Sequence, residues 1–149
     1  MNSYVSEWRC EIDDSNWLDE NDEGLQAFRA YMQDRDDGFQ RILKAISAEF
    51  HCELRMTCEA CPVQVEGTID GYGLYFRSRW DSWRLAIAET VDQAIAAGRS
   101  ADAIFYHESC AGMAAFDASW LEPEQLDVAM RACLTAYRSG AKNGGYIEV

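Results

Sequence analysis

From Pro62 to Glu89 apolar and polar residues alternate with a period of two, and turn chemistry interrupts the alternation twice. Val63, Val65 and Ile69 alternate with Gln64, Glu66 and Thr68. After Asp70-Gly71-Tyr72-Gly73, Leu74, Phe76 and Trp80 alternate with Tyr75, Arg77 and Arg79. After Asp81-Ser82, Trp83, Leu85 and Ile87 alternate with Arg84, Ala86 and Ala88. Successive side chains of a strand point to opposite faces, so this pattern predicts three antiparallel strands in succession. The dry face is predicted to be Val63, Val65, Ile69, Leu74, Phe76, Trp80, Trp83, Leu85 and Ile87. Gln64, Glu66, Thr68, Tyr75, Arg77, Arg79 and Arg84 form the other face, which suits water or a binding partner.

The flanks follow a helical period. Between Glu23 and Phe50 the apolar residues Leu25, Phe28, Tyr31, Met32, Phe39, Ile42, Leu43, Ile46 and Phe50 recur at spacings that make one amphipathic stripe. Asp36-Asp37-Gly38 lies inside it and predicts two helices, or one bent there, because aspartate caps and glycine weakens a helix. Thr90-Val91-Asp92-Gln93 has the spacing of a capping box and starts a short helix that Gly98 ends. Ala103–His107 reads as a short strand and Cys110–Ser119 as a loop. Glu122-Pro123 opens a last helix with Leu126, Met130, Cys133, Leu134 and Tyr137 as its buried stripe, closed by Gly140. Residues 1–21 are aromatic and acidic, an irregular arm with room for a short strand near Tyr4–Ile12. The expected fold is α+β in a single domain, 1–149. A three-stranded antiparallel meander (62–89), extendable to four or five strands, is packed on one face by N-terminal helices (22–50) and a C-terminal helix (122–139).

The meander also resembles a group of uncharacterised small bacterial and phage proteins. The residues that carry the resemblance are Glu66-Gly67-Thr68-Ile69-Asp70-Gly71, then Tyr75-Phe76-Arg77-x-Arg79, then Trp83. Trp120-Leu121-x-Pro123, and a helix ending Ala136-Tyr137-Arg138, are similar to the C-terminal end of the same group. The resemblance covers roughly half of the chain. It implies a fold and no activity.

Charge narrows the partners. The 149 residues carry 26 acids against 13 lysines and arginines, a net charge of −13, and residues 1–37 alone hold 11 acids and 3 bases. Such a chain is repelled by phosphate backbones, so direct binding to DNA or RNA is not expected. The acids confer solubility, or they address a basic protein such as a nucleic-acid-binding protein whose groove they occupy. Asp13, Asp14, Asp19, Glu20, Asp22 and Glu23 are the densest of them. The N-terminus lacks a basic region followed by an apolar run, and no stretch approaches the ~18 apolar residues of a membrane helix. The expected compartment is the cytoplasm of a bacterial host.

Six cysteines in a cytosolic chain are reduced thiols or metal ligands. His51, Cys52, Cys58 and Cys61 form H-C-x5-C-x2-C, and a Cys-x2-Cys turn is the usual first half of a structural zinc site. The second half is incomplete, since adjacent side chains such as His51 and Cys52 tend to point apart, although His107, Cys110 or Cys133 could contribute. Plain packing is the better reading, and no cofactor is expected. A redox role for Cys58 and Cys61 lacks a helix N-terminus or cation to depress a thiol pKa. His107-Glu108-Ser109-Cys110 suggests thiol catalysis in composition alone, and there is no phosphate loop, nucleophile elbow or H-E-x-x-H. Tyr75, Arg77, Arg79 and Arg84 are either cross-strand pairing residues or a contact patch. The expected function is therefore non-enzymatic protein–protein interaction. Its most concrete form is a phage or mobile-element inhibitor of a bacterial defence complex, of the anti-CRISPR or nucleic-acid-mimic type. The alternatives are an immunity protein against a basic toxin nuclease, or a zinc- or thiol-binding module built on Cys52, Cys58 and Cys61.

Overall fold

The computed structural model describes residues 22–60, 62–97, 103–109 and 117–141, the side chains of 117 and 118 excepted. The fold is α+β. In chain order the elements are α1 (Glu23–Phe50), β1 (Cys52–Cys58), β2 (Val63–Ile69), β3 (Tyr72–Arg79), β4 (Ser82–Ala88), α2 (Val91–Ala96), β5 (Phe105–Ser109), a 3-10 turn (Asp117–Trp120) and α3 (Pro123–Arg138). The chain divides into two compact units after Met32. In the first, the described residues are the opening turns of α1, where the Asp22 carboxylate accepts from Gly24 N at 2.8 Å and Phe28 and Tyr31 are exposed. Apart from Asp22 and Glu23, the structural features that follow belong to the second unit.

The five strands are ordered β1-β2-β3-β4-β5, each antiparallel to its neighbour in the chain. The predicted three-stranded meander is therefore its centre. The β2–β3 turn is Asp70-Gly71, both at positive φ (53° and 82°), the geometry that a two-residue hairpin matched to strand twist requires. Val63, Val65, Ile69, Leu74, Phe76, Trp83, Leu85 and Ile87 are buried in one cluster with Phe39, Leu43 and Ile46 of α1 and Leu126, Met130, Cys133 and Leu134 of α3. This inner face is the main core.

Three expectations are corrected. Trp80 does not belong to the inner face: β3 ends at Arg79, the turn is Trp80-Asp81, and Trp80 is 56% exposed. The inner-face place belongs to Ser78, which is fully buried. Asp36-Asp37-Gly38 does not interrupt α1, because Gly38 is the seat of Pro123: a Cβ there would lie 3.0 Å from the Pro123 ring. The cysteine-bearing stretch after α1 is one of the two strands that extend the meander to five: it is β1, with Cys52, Leu54 and Met56 alternating with exposed Glu53, Arg55 and Thr57.

The outer face is the third. It is not left wholly to water, since α2 covers part of it. Gly73, Ala86 and Ala88 are small, so the backbone of α2 can approach, and a Cβ at Gly73 would lie 2.1 Å from Val91 N. Tyr75, Ala86, Ala88, Ala94, Ala97 and Ala103 form a second buried cluster there. The α2 N-cap is as expected: Thr90 Oγ1 accepts from Gln93 N at 3.2 Å.

Polar contacts lock the C-terminal helix in place. Glu122 N donates to Gln125 Oε1 at 2.9 Å at its start, and Gly140, at φ 81°, closes it. Arg138 grips Asp70 with bonds of 2.6 and 2.8 Å and donates to Phe50 O at 2.5 Å, where α1 ends. The Tyr137 hydroxyl also donates to Asp70, and these donors hold that carboxyl below its usual pKa. Arg35, 3% exposed, lies between the rings of Phe39 and Trp120 at 4.6 and 4.5 Å. It donates to Glu59 O and to Leu121 O, and its Nε is 3.6 Å from Glu122 Oε2. One buried cation thus joins α1, the end of β1 and the approach to α3.

Candidate functional site

The register places Cys58, Gln64, Arg77, Arg84 and Glu108 side by side across the five strands. Arg77 and Arg84 are direct cross-strand partners, an arrangement that like charges disfavour. Arg84 is occupied. It donates to Ile95 O and Ala97 O at 3.1 and 3.0 Å, supplying the end of α2 with a cation and two donors, and its guanidinium lies 5.8 Å from the Tyr75 ring. Arg77 is not so occupied: its Nε is buried and has no hydrogen-bond partner.

Tyr75, expected on the wet face, is only 4% exposed. Burial raises its pKa; Arg77 and Arg84 work against the rise, while Glu66 and Cys58 add to it. Tyr106 beside it is also pushed up by burial, and its hydroxyl donates to Glu108 Oε2 at 3.0 Å. Tyr75 and Arg84 therefore hold α2, and the surface patch contracts to Arg77, Arg79 and what adjoins them.

What adjoins them is Trp80. Its φ of 59° is a conformation that bulky residues rarely adopt, and its N–H donates to Ser119 Oγ at 2.7 Å. The Arg79 guanidinium stacks 4.4 Å from the Trp80 ring centre. Sequence reading missed this residue as a surface group because a tryptophan at an apolar period reads as core. The two-residue loop length was the signal that could have placed it in the turn.

The described thiols do not converge. Cys52 and Cys58 sit at opposite ends of β1, six residues and so about 20 Å apart along the strand, too far to share one ion. His51 is exposed at φ 52°, where the end of α1 turns into β1, and Cys61 lies outside the described residues. Among the described residues no group of three or more His, Cys, Asp or Glu side chains comes together to hold a metal. Burial raises the Cys52 thiol pKa and pushes Cys133 up to about 12, the opposite of nucleophile activation. His107 is buried on the inner face, 5.3 Å from the Trp83 ring, while Glu108 next to it is on the outer face.

Of the predicted acids, Asp22 and Glu23 are exposed at the start of α1, and Asp13, Asp14, Asp19 and Glu20 lie outside the described residues. An open groove of about 350 Å³ runs beside β1, with Glu53, Arg55, Glu66 and Thr68 in its lining. Among the described residues no helix is long and apolar enough to cross a membrane. No protein-family model, curated protein or solved structure matches the chain.

Proposed function

We propose that the protein acts by binding another protein, through a contact anchored at the β3–β4 turn and steered by its negative charge. The observation that carries this reading is Trp80, over half exposed and at φ 59°. A non-glycine residue in that region costs on the order of 1 kcal/mol, and a large ring left in water gives up the gain from burying it. Tryptophan and arginine are the side chains that most often anchor protein interfaces, and here they are stacked on each other at a hairpin tip. Arg77, two residues before Arg79 along β3, adds a half-buried guanidinium on the same face.

A net charge of −13 repels nucleic acid and accelerates encounter with a basic surface. Anchor and charge together suit an acidic protein that occupies the nucleic-acid groove of a bacterial complex. In its most concrete form this is a phage or mobile-element inhibitor of a defence complex, acting in the host cytoplasm.

The test is capture from a bacterial lysate with wild type and Trp80→Ala as parallel baits. The expected result is a basic, nucleic-acid-binding partner, held at least about tenfold better by wild type and released by competing nucleic acid. The partner's identity separates a defence complex from a toxin nuclease. Equal retention by the two baits, or a partner that binds its nucleic acid at the same time, overturns the reading.

A further inference from the structure

The sheet has two edges, β1 and β5, and β1 pairs only with β2 among the described residues. An edge strand presents a row of backbone donors and acceptors able to accept another strand. Its inner-face side chains, Leu54 and Met56, are only half-buried, whereas Val63 and Val65 of β2 are fully buried. On the outer side Glu53 and Arg55 are exposed, the Arg55 side chain to 76%. Between Met56 and Cys58 the register with β2 shifts, and such an irregularity limits a regular edge to Cys52–Met56.

We propose that β1 pairs with β1 of a second copy of this chain, antiparallel about a two-fold axis at Leu54, joining two five-stranded sheets into one. The charges select this register. Strand pairing must set inner face against inner face, so the axis passes through a residue. At Arg55 the axis would set Arg55 against itself, and at Glu53 it would do the same to Glu53. At Leu54 it sets Glu53 against Arg55 of the second copy, twice, with Leu54 against Leu54 and Cys52 against Met56 on the inner side. Opposite charges directly across a strand pair stabilise it and like charges oppose it. Arg55 already reaches Glu66 at 3.2 Å within its own chain, so it would bridge two carboxylates in the dimer.

The same arithmetic supplies the test. Glu53→Arg sets arginine against arginine, and Arg55→Glu sets glutamate against glutamate. Each single variant should lose dimerisation by more than about tenfold, because symmetry makes the change count twice. Mixed in equal amounts, the two single variants restore opposite charges at both positions and should form the heterodimer, as should the double swap with itself. Glu53 is exposed and faces Thr68 on β2, so at a dilution where wild type is monomeric Glu53→Arg should melt like wild type, whereas Arg55→Glu also sets glutamate against Glu66 within its own chain and should melt slightly lower. Native mass spectrometry or sedimentation at about 100 µM, where a micromolar association is saturated, reads the result. A monomeric wild type overturns the proposal, and so do single variants that dimerise as well as wild type. Hydrogen exchange on the monomeric variants supplies a further check. If the outward amides of β1 stay protected there, the edge is covered without a second copy, and the proposal is overturned.

Discussion

On β3, Leu74 and Phe76 are buried beneath α1 and α3, while Tyr75 on the opposite face is buried beneath the six-residue α2, and Arg77 and Arg79 run out beyond it. The inner face is filled by large branched and aromatic side chains meeting a helix on each chain flank. The outer face achieves burial with glycine and alanine, which let a short helix come close, and with one arginine that ties down the helix end. Two methods of covering a sheet thus coexist on alternate residues of one strand. They are expected to differ in strength and in how locally each fails.

The comparison breaks most visibly at Phe76. Phe76→Ala should destabilise by roughly 3–5 kcal/mol, since it empties a fully buried site between the sheet and the helices. A denaturant melt measures it, and a loss under 1 kcal/mol would mean that the core reorganises around the gap. Next is Gly73→Ala, which drives a methyl group into the backbone of Thr90 and Val91. A cost of about 1–3 kcal/mol is expected, with inner-face amides staying protected from hydrogen exchange while those of α2 lose protection. Loss of protection on both faces together would show that the two clusters form one cooperative unit. Arg84→Ala removes two donors from the end of α2 and should cost about 1–2 kcal/mol, again confined to the outer face by the same exchange experiment.

The smallest effect concerns pH. Arg138 holds the Asp70 carboxyl below its usual pKa, so the pair's stabilisation is present above the unfolded value, about 3.9, and is lost as the pH falls through the lowered folded value. Asp70→Asn should therefore cost less than about 1 kcal/mol at neutral pH, the side chains being well exposed, and the difference from wild type should vanish in acid. A difference that persists at low pH would assign the effect to the turn geometry of Asp70 and not to its charge.

The period-two alternation made β2, β3 and β4 legible, and proline, the apolar stripe and closing glycine did the same for α3. Strand β1 was legible in principle, as Cys52, Leu54 and Met56 alternate with Glu53, Arg55 and Thr57, but the cysteines drew a chemical reading over a structural one. Trp80 and Tyr75 were misplaced for one reason: alternation assigns a face, and it cannot say where a strand stops or what covers the far side. Arg35 was invisible. Inside Asp34-Arg35-Asp36-Asp37 it reads as part of a solvated charge run, and only tertiary packing turns it inward between Phe39 and Trp120. Of the candidate patch, Arg79 kept its expected exposure, and Tyr75 and Arg84 proved to be supports for α2.

Arg35 and Arg138 have a further consequence, for the order in which the chain can assemble. Every strand pairs with its neighbour in sequence, so the sheet is made of short-range contacts that form quickly. The ties to Leu121 and Phe50 instead span 86 and 88 residues and close only when the α3 region is present. During synthesis the meander emerges before α3, with Val63, Leu74, Phe76 and Leu85 facing outward and α1 alone to cover them. The nascent chain therefore passes through an interval in which half of its core lid is still inside the ribosome, and in that interval aggregation competes with folding.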